Sequence, residues 1–359
     1  METSTDESNI VKNRQMGYLS CTSFVVGNII GSGIFITPGV IYAYVNSVGL
    51  SFIVWILCAA VSLLGALVYV ELGTGILESG CDYSYICYVK WIPPGFAFMF
   101  VGALLSFPAS NAVQATTFSR YLIEGISPLY IVPSPYDIIC ERLIATAVLV
   151  FLVWLNFHSL GGFVAKFQIV ATVAKLLSLA LVILGGLYYL IFKGMTQHLE
   201  NPFDGSKWNV SDLMLGMYAG LWTLAGWDVL NYGAPEIRNP KRNMPLALIS
   251  GIFTVTAIYI LVNLAFFVVL DSQSLKDSNA IAARFSQQAF GDFSFIVPFL
   301  IVILLVGTMN GLMFCSSRYM YAAAKRGHLP AYLTCINERT GSPRAAVFTQ
   351  VTEQLNFQA

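Results

Sequence analysis

The sequence is poor in charged residues. Only 11% of its 359 residues are Asp, Glu, Lys or Arg, whereas soluble domains carry about 25%. Acidic and basic residues number 19 each, so the formal net charge is zero and no basic surface for a nucleic-acid partner is expected. The low charge excludes an ordinary soluble domain. Together with a hydrophobic content of 57%, it predicts an integral membrane protein in contact with lipid.

The sequence also lacks the usual patterns of catalysis and metal binding. Its seven cysteines form no Cys-x-x-Cys pair and show no metal-ligand spacing. No nucleophile–base pair or group of metal ligands falls within the long apolar runs. We therefore expect no enzyme, no cofactor and no bound metal. The first apolar run leads straight into a second, which argues against a cleavable signal peptide.

Long stretches without charge are what the sequence has instead. Residues 15–70 contain no Asp, Glu, Lys or Arg, and several further runs share this property. A helix needs about 20 apolar residues to span a bilayer, so the first run is long enough for two spans. The pattern predicts an all-α membrane protein with eight crossings. These cover about residues 18–44, 48–74, 93–122, 138–158, 162–192, 212–235, 244–270 and 293–324.

The positions of Lys and Arg predict the orientation. With the N-terminus in the cytoplasm, twelve of these residues face the cytoplasm and six face outwards, while Lys175 is left inside the bilayer. The chain then divides into a cytoplasmic tail (1–17), a transmembrane domain (18–335) and a C-terminal segment (336–359). The last residues of that segment are too polar to complete a ninth span. We therefore expect a membrane domain truncated after about eight helices.

Two predicted spans contain helix-breaking residues near their centres. The first holds GNIIGSGIFITPG (27–39), and the sixth holds several glycines around Asp228. Unpaired backbone groups in lipid cost several kcal/mol each, so a break survives only where something polar occupies it. The half-helix that starts after Gly33 points N–H groups at the gap, which suits a carboxylate, and the half-helix that ends before the gap offers carbonyls, which suit an ammonium.

A zwitterion would satisfy both half-helices of the first span. The alternative is that Gly-x-Gly only allows close helix packing. Paired breaks in spans one and six favour the first interpretation, because transporters built from inverted repeats bind their substrate between two interrupted helices.

Three stretches carry a resemblance to a known family. VVGNIIGSGIFITPG, GWDVLNYGAPEIRNPKRNMPLALI and SSRYMYAAAKRGHLP resemble the L-type amino acid transporters, light subunits of heteromeric transporters in the amino acid–polyamine–organocation superfamily. The resemblance runs from about residue 15 to 350. It implies a leucine-transporter-like fold of twelve spans, with spans 1–5 and 6–10 as inverted repeats. It also implies a plasma-membrane antiporter that exchanges amino acids by alternating access without sodium. Relatives that accept cationic amino acids can carry an acid where this chain has Ala225, so large neutral L-amino acids are expected as substrates.

The resemblance also assigns roles to individual residues. Span one would bind the backbone of the substrate, span six would line the pocket and close it from outside with Trp222, and span three would add polar groups. The substrate-binding positions are Ile29, Gly31, Ser32, Gly33, Ser110, Trp222, Thr223 and Ala225, with Gln114 as a further candidate. Lys175 lies in mid-span, where a charge is functional by default, and resembles a built-in cation that replaces the sodium of related symporters. Asp228 could face a cytoplasmic vestibule, pair with a polar neighbour or take part in binding.

Two departures from the family pattern change the expectations. Light subunits carry a cysteine after span three that forms a disulfide with a heavy chain, but residues 122–138 contain none, and Cys140 lies at the start of span four. A disulfide-linked heavy chain is therefore not expected. The sequence also lacks the family's later spans. The alternative to an exchanger is a truncated, non-transporting isoform or fragment that associates with full-length transporters.

Overall fold

The computed structural model describes residues 16–127, 133, 136–157, 163–197, 199–271, 275, 281–291, 295–337 and 342–358. Nearly all of the predicted tail 1–17 lies outside these residues. The same holds for much of the 122–138 loop and for part of the 336–359 segment.

Helices account for most of the described chain. The first half contains α1 (Tyr18–Ile29), α2 (Gly33–Val45), α3 (Val48–Gly75), α4 (Cys81–Tyr88), α5 (Ile92–Val101), a π-helical turn (Gly102–Ser106), α6 (Phe107–Ile126), α7 (Tyr136–Asn156) and α8 (Ala165–Ile191). The second half contains α9 (Val210–Thr223), α10 (Val229–Tyr232), a 3₁₀ turn (Ala234–Glu236), α11 (Pro240–Val269), α12 (Ile281–Phe290), α13 (Ile296–Lys325), a second 3₁₀ turn (Ala331–Thr334) and α14 (Arg344–Gln358).

Six helical stretches of the described chain are long and apolar enough to cross a membrane, and α1 with α2 makes a seventh if that bent pair is one span. They match seven of the eight predicted crossings to within several residues. The remaining prediction, 212–235, covers α9 and α10, which are separated by residues 224–228. Neither helix is long enough to span a bilayer alone, because the break falls in the middle of the segment.

The two broken spans pack against each other in an antiparallel arrangement. The half-span α9 contacts α2, and α10 contacts α1, so each N-terminal half meets the C-terminal half of the other span. Around them, α1 packs against α8 and α11, and α13 packs against α6 and α8. Gly186 on α8 allows one close approach, because a Cβ there would lie 2.5 Å from the Cα of Ala265 on α11. This arrangement places both breaks among packed helices.

A separate apolar cluster holds the C-terminal helix. Helix α14 packs against α6, α7 and α13, and its Val347 and Val351 are buried with Leu149, Leu152 and Met309. The sequence suggests only the entry to a ninth span here. The structure gives this segment a helix of 15 residues.

Candidate functional site

The break in the first span lies where the sequence predicts it. Helix α1 ends at Ile29, α2 begins at Gly33, and the two helices are bent by 48°. The first four N–H groups of a helix have no partner within that helix. The start of α2 therefore directs free N–H groups and the positive end of the helix dipole at the bend.

The break in the sixth span is joined to the first by a hydrogen bond. Gly226 lies between α9 and α10 with φ +95, a conformation that favours glycine. Its carbonyl accepts a 2.9 Å hydrogen bond from Nδ2 of Asn28 in α1. A Cβ at Gly226 would lie only 2.8 Å from that same nitrogen. Asn28 and Gly226 therefore fix the two breaks side by side.

A cavity of about 540 Å³ opens between the breaks, α6 and α13. All eight predicted substrate-binding positions line it: Ile29, Gly31, Ser32, Gly33, Ser110, Trp222, Thr223 and Ala225. Gln114 lines it as well. The structure thus brings together residues from three separate spans. Their role in binding a substrate stays a prediction.

The residues that line the cavity differ in how exposed they are. Trp222 lines the cavity and is 62% exposed. Thr223 is buried, and its hydroxyl hydrogen-bonds with that of Thr37 on α2. Opposite Thr223, a Cβ at Gly33 would lie 2.9 Å from Cγ2 of Thr223. The two broken spans are therefore in close contact at this point, with no room for a side chain at residue 33.

Lys175 lies behind the cavity wall, fully buried on α8. Its Nζ donates hydrogen bonds to the carbonyl oxygens of Gly27 at 2.5 Å and Ile30 at 2.7 Å, and to Oγ1 of Thr308 at 2.7 Å. Complete burial excludes an interpretation in which the lysine extends to the membrane surface. The ammonium instead occupies the negative end of the α1 dipole, as a bound cation would.

This geometry corrects one expectation about the first span. The sequence suggests that the carbonyls at the end of α1 bind a substrate ammonium. In the structure the carbonyls of Gly27 and Ile30 accept from Lys175, and that of Ile29 accepts from the Tyr259 hydroxyl at 3.1 Å. The lysine and the tyrosine come from spans that sequence order does not place near the break. Three carbonyls at the end of the first half-span therefore already have side-chain donors, whereas the start of α2 keeps N–H groups for a ligand.

Several polar residues of the site carry no motif that sequence analysis could use. Thr308 lines the cavity and also donates to the Ile30 carbonyl at 3.1 Å; its one sequence signal is a hydroxyl between glycines in VGTMNG. Further from the cavity, Gln168 accepts from Asn310 at 2.6 Å, and Asn310 accepts from Asn156 at 2.9 Å. Such buried polar chains hold helices in one register.

Asp228, whose place the sequence leaves open, lines the cavity. It is the one carboxylate among the lining residues of the described chain, and no Lys or Arg lines the cavity there. Its carboxylate lies near Cys81 and Asp82 of α4, with ligand atoms of all three within 4.8 Å of one another. Within the described residues, these three form the group beside the cavity that could hold a metal ion.

Comparison with known proteins gives a consistent result. Residues 16–355 match the profile of a family described as amino acid permease. The chain is 44% identical over 340 residues to Amino acid transporter protein 6 of Caenorhabditis elegans, covering 95% of this chain and 65% of that protein. It is 37% identical to the human b(0,+)-type amino acid transporter 1, covering 93% of this chain and 67% of that protein. It is 36% identical to the human cystine/glutamate transporter, covering 95% and 67%.

The chain therefore spans about two thirds of the length of these relatives. Among solved structures, it superimposes on a crystal structure of MhsT in complex with L-phenylalanine, with a TM-score of 0.66 and 16% identity. The match covers 95% of this chain and 78% of MhsT. The leucine-transporter-like fold predicted from the sequence is confirmed.

Proposed function

The chain belongs to the amino acid permease family, and we propose that it carries amino acids across a membrane by sodium-independent exchange. It is a multi-pass membrane protein. The cavity between the two broken spans would be its substrate site. The observation that carries this proposal is the convergence of both breaks and all eight predicted residues on one cavity of about 540 Å³.

The proposed binding mode uses both broken spans. The substrate carboxylate would accept from the free N–H groups at the start of α2, around Gly31 to Gly33, where the helix dipole also favours negative charge. The ammonium would meet carbonyls at the C-terminal end of α9, where the carbonyl of Thr223 also accepts a long hydrogen bond of 3.4 Å from the Tyr259 hydroxyl. Glycines at 31 and 33 support this mode because they let a ligand approach the backbone. Alternating access would then rock one group of helices against the other around this fixed site.

We propose that Lys175 replaces a transported sodium ion. Its ammonium already donates hydrogen bonds to the carbonyls of Gly27 and Ile30, at 2.5 and 2.7 Å, and to the Thr308 hydroxyl at 2.7 Å. A sodium ion at the same place would meet a fixed positive charge. The exchange would therefore run equally well with and without sodium.

We propose large neutral L-amino acids as substrates. The residue at 225 is an alanine, which offers no charge to a cationic side chain. Asp228, the one carboxylate of the described lining, lies instead with Cys81 and Asp82 at one side of the cavity. The described lining has no Lys or Arg to attract an anionic side chain. The cavity volume is sufficient for a large side chain. The similarity to the cystine/glutamate transporter supports the family but does not identify the substrates of this chain.

The remaining expectations also stay proposals. The Lys and Arg distribution supports a cytoplasmic N-terminus, and the family resemblance supports the plasma membrane. A heavy chain linked by a disulfide is not proposed, because residues 122–138 contain no cysteine.

Counterflow into proteoliposomes tests the proposal. Vesicles containing the 359-residue chain and loaded with unlabelled leucine should accumulate labelled leucine at equal rates in sodium and in choline buffer. Vesicles loaded with buffer alone give the control. Accumulation only in sodium would contradict the role of Lys175. Leucine binding without counterflow would favour the alternative, a non-transporting chain that associates with full-length transporters.

A further inference from the structure

The group formed by Cys81, Asp82 and Asp228 lies at one side of the cavity, and the proposed binding mode, with N–H groups of α2 and carbonyls of α9, does not use it. Cys81 and Asp82 begin α4, and Asp228 precedes α10 at the sixth-span break. Their Sγ and carboxylate oxygen atoms all lie within 4.8 Å of one another. The Cys81 thiol is fully buried and forms no disulfide, and Asp228 opens onto the cavity.

No Lys or Arg of the described chain compensates the charges of this group. Asp82 accepts a hydrogen bond from the Tyr69 hydroxyl, and the Tyr232 hydroxyl lies beside Asp228. In the part of the chain that the structure describes, neither carboxylate forms an ion pair with a Lys or Arg. Partly buried carboxylates without a basic partner are commonly neutralised or coordinate a cation.

A buried hydroxyl in the same region has no hydrogen-bond partner among the described residues. The Tyr319 hydroxyl is among the buried oxygen atoms with no hydrogen bond, and Tyr319 is 1% exposed. Asp82 and Cys81 lie within electrostatic range of Tyr319, and the ring of Tyr319 contacts that of Tyr232. An ion with a bound water in this region would satisfy a hydroxyl that the protein leaves unpaired.

We propose that Cys81, Asp82 and Asp228 bind a divalent transition-metal ion of the zinc type. One thiolate and two carboxylates are ligands that zinc accepts, and a fourth position would stay open to water on the cavity side. Zinc bonds of about 2.0–2.3 Å place tetrahedral ligands roughly 3.5 Å apart, so small rotations of these side chains would close the group. A thiolate ligand also disfavours magnesium and calcium, which prefer oxygen ligands.

The ion would have a structural consequence. Two of its ligands belong to α4 and the third to the segment after the sixth-span break, so binding would fasten these parts together. The route to the site runs through the cavity, which Asp228 lines. Spacing along the sequence does not indicate this site, because the third ligand comes from a distant part of the chain.

Cadmium and zinc binding to the purified full chain in detergent tests this proposal. Cadmium bound by a thiolate gives an ultraviolet charge-transfer band, and zinc binding is measured by calorimetry. The first variant is Cys81→Gly, chosen because Cys81 has φ 50 and glycine tolerates this conformation. The second is Asp228→Asn. The matched control is Cys87→Ser, which removes another buried thiol of α4 outside the group.

We expect the parent chain and Cys87→Ser to bind one zinc ion and to give the cadmium band. Cys81→Gly should lose the band, and both ligand variants should bind zinc about tenfold or more weakly. Zinc should raise the melting temperature of the parent chain but not of Cys81→Gly. The proposal is overturned if the parent chain binds no zinc, if Cys81→Gly keeps the cadmium band, or if Cys87→Ser loses binding to the same extent.

Discussion

The Nζ atom of Lys175 lies 2.7 Å from the carbonyl oxygen of Ile30, so a lysine of α8 holds the residue that directly follows α1. The same ammonium donates to Gly27 and Thr308. A single side chain therefore ties three segments together at the first-span break.

We predict that Lys175→Met destabilises the protein and weakens leucine binding. The change leaves buried acceptors unpaired, which costs about 1–3 kcal/mol for each group. A lower melting temperature in detergent and a weaker leucine affinity are expected. Lys166→Met, on the exposed side of the same helix, is the matched control. Equal stability and affinity in Lys175→Met and the parent chain would show that the ammonium is not needed.

A second prediction concerns the contact between the two broken spans. In Gly33→Ala, the new Cβ would lie 2.9 Å from Cγ2 of Thr223, so the spans must separate and leucine binding should weaken. Thr223→Ser removes that methyl group. The double variant should therefore recover part of the lost affinity, and the coupling is read from a double-mutant cycle. Strictly additive losses would mean that the two residues do not meet in the binding-competent state.

A third prediction concerns charge selectivity at residue 225. Ala225→Asp adds a carboxylate to the cavity wall, where it could pair with a guanidinium through charge-assisted hydrogen bonds. Such bonds contribute about 1.5–3 kcal/mol, so arginine affinity should rise by about tenfold or more. Competition against labelled leucine measures the change. Ala225→Asn, which has the same shape without the charge, should show no gain. Strong arginine binding by the unmodified chain would show that selectivity is determined elsewhere.

A fourth prediction concerns a heavy-chain partner. With no cysteine in residues 122–138, the chain should migrate at the same mass on reducing and non-reducing gels of native membranes. Cys140 is partly accessible at the start of α7, so Cys140→Ser serves as the comparison. A reducible band larger by the mass of a glycoprotein subunit would contradict the prediction. Its loss in Cys140→Ser would identify the cysteine responsible.

The parts of the site with strong local signals are visible in the sequence. Helix-breaking glycines mark both breaks, because they weaken a helix in an environment where every freed backbone group needs a partner. Lys175 stands out because a charge far from either end of a span is rare. Seven of the eight crossings follow from long apolar runs, one of which is interrupted by Lys175.

The rest of the site depends on contacts between residues that are distant in sequence. Asn28 meets Gly226, and Lys175 meets Gly27 and Ile30, only because the spans pack as they do. For that reason the sequence suggests that the carbonyls at the end of the first half-span bind a substrate ammonium. In the structure, buried side chains donate to them instead. The short length of α10 is not predicted either, because an apolar run does not show where a helix unwinds.

Equilibrium binding of labelled leucine to the purified chain tests whether the cavity between the breaks is the amino acid site. Gly31 lines this cavity, and a Cβ there would meet only Thr308 at 3.6 Å, so Gly31→Val should fill the space without disturbing the fold. Gly75→Val, where nothing lies within 4 Å, is the matched control. We expect saturable binding to the parent chain and to Gly75→Val, and none to a well-folded Gly31→Val. Unchanged leucine affinity in Gly31→Val, or no saturable binding to the parent chain, would contradict this assignment.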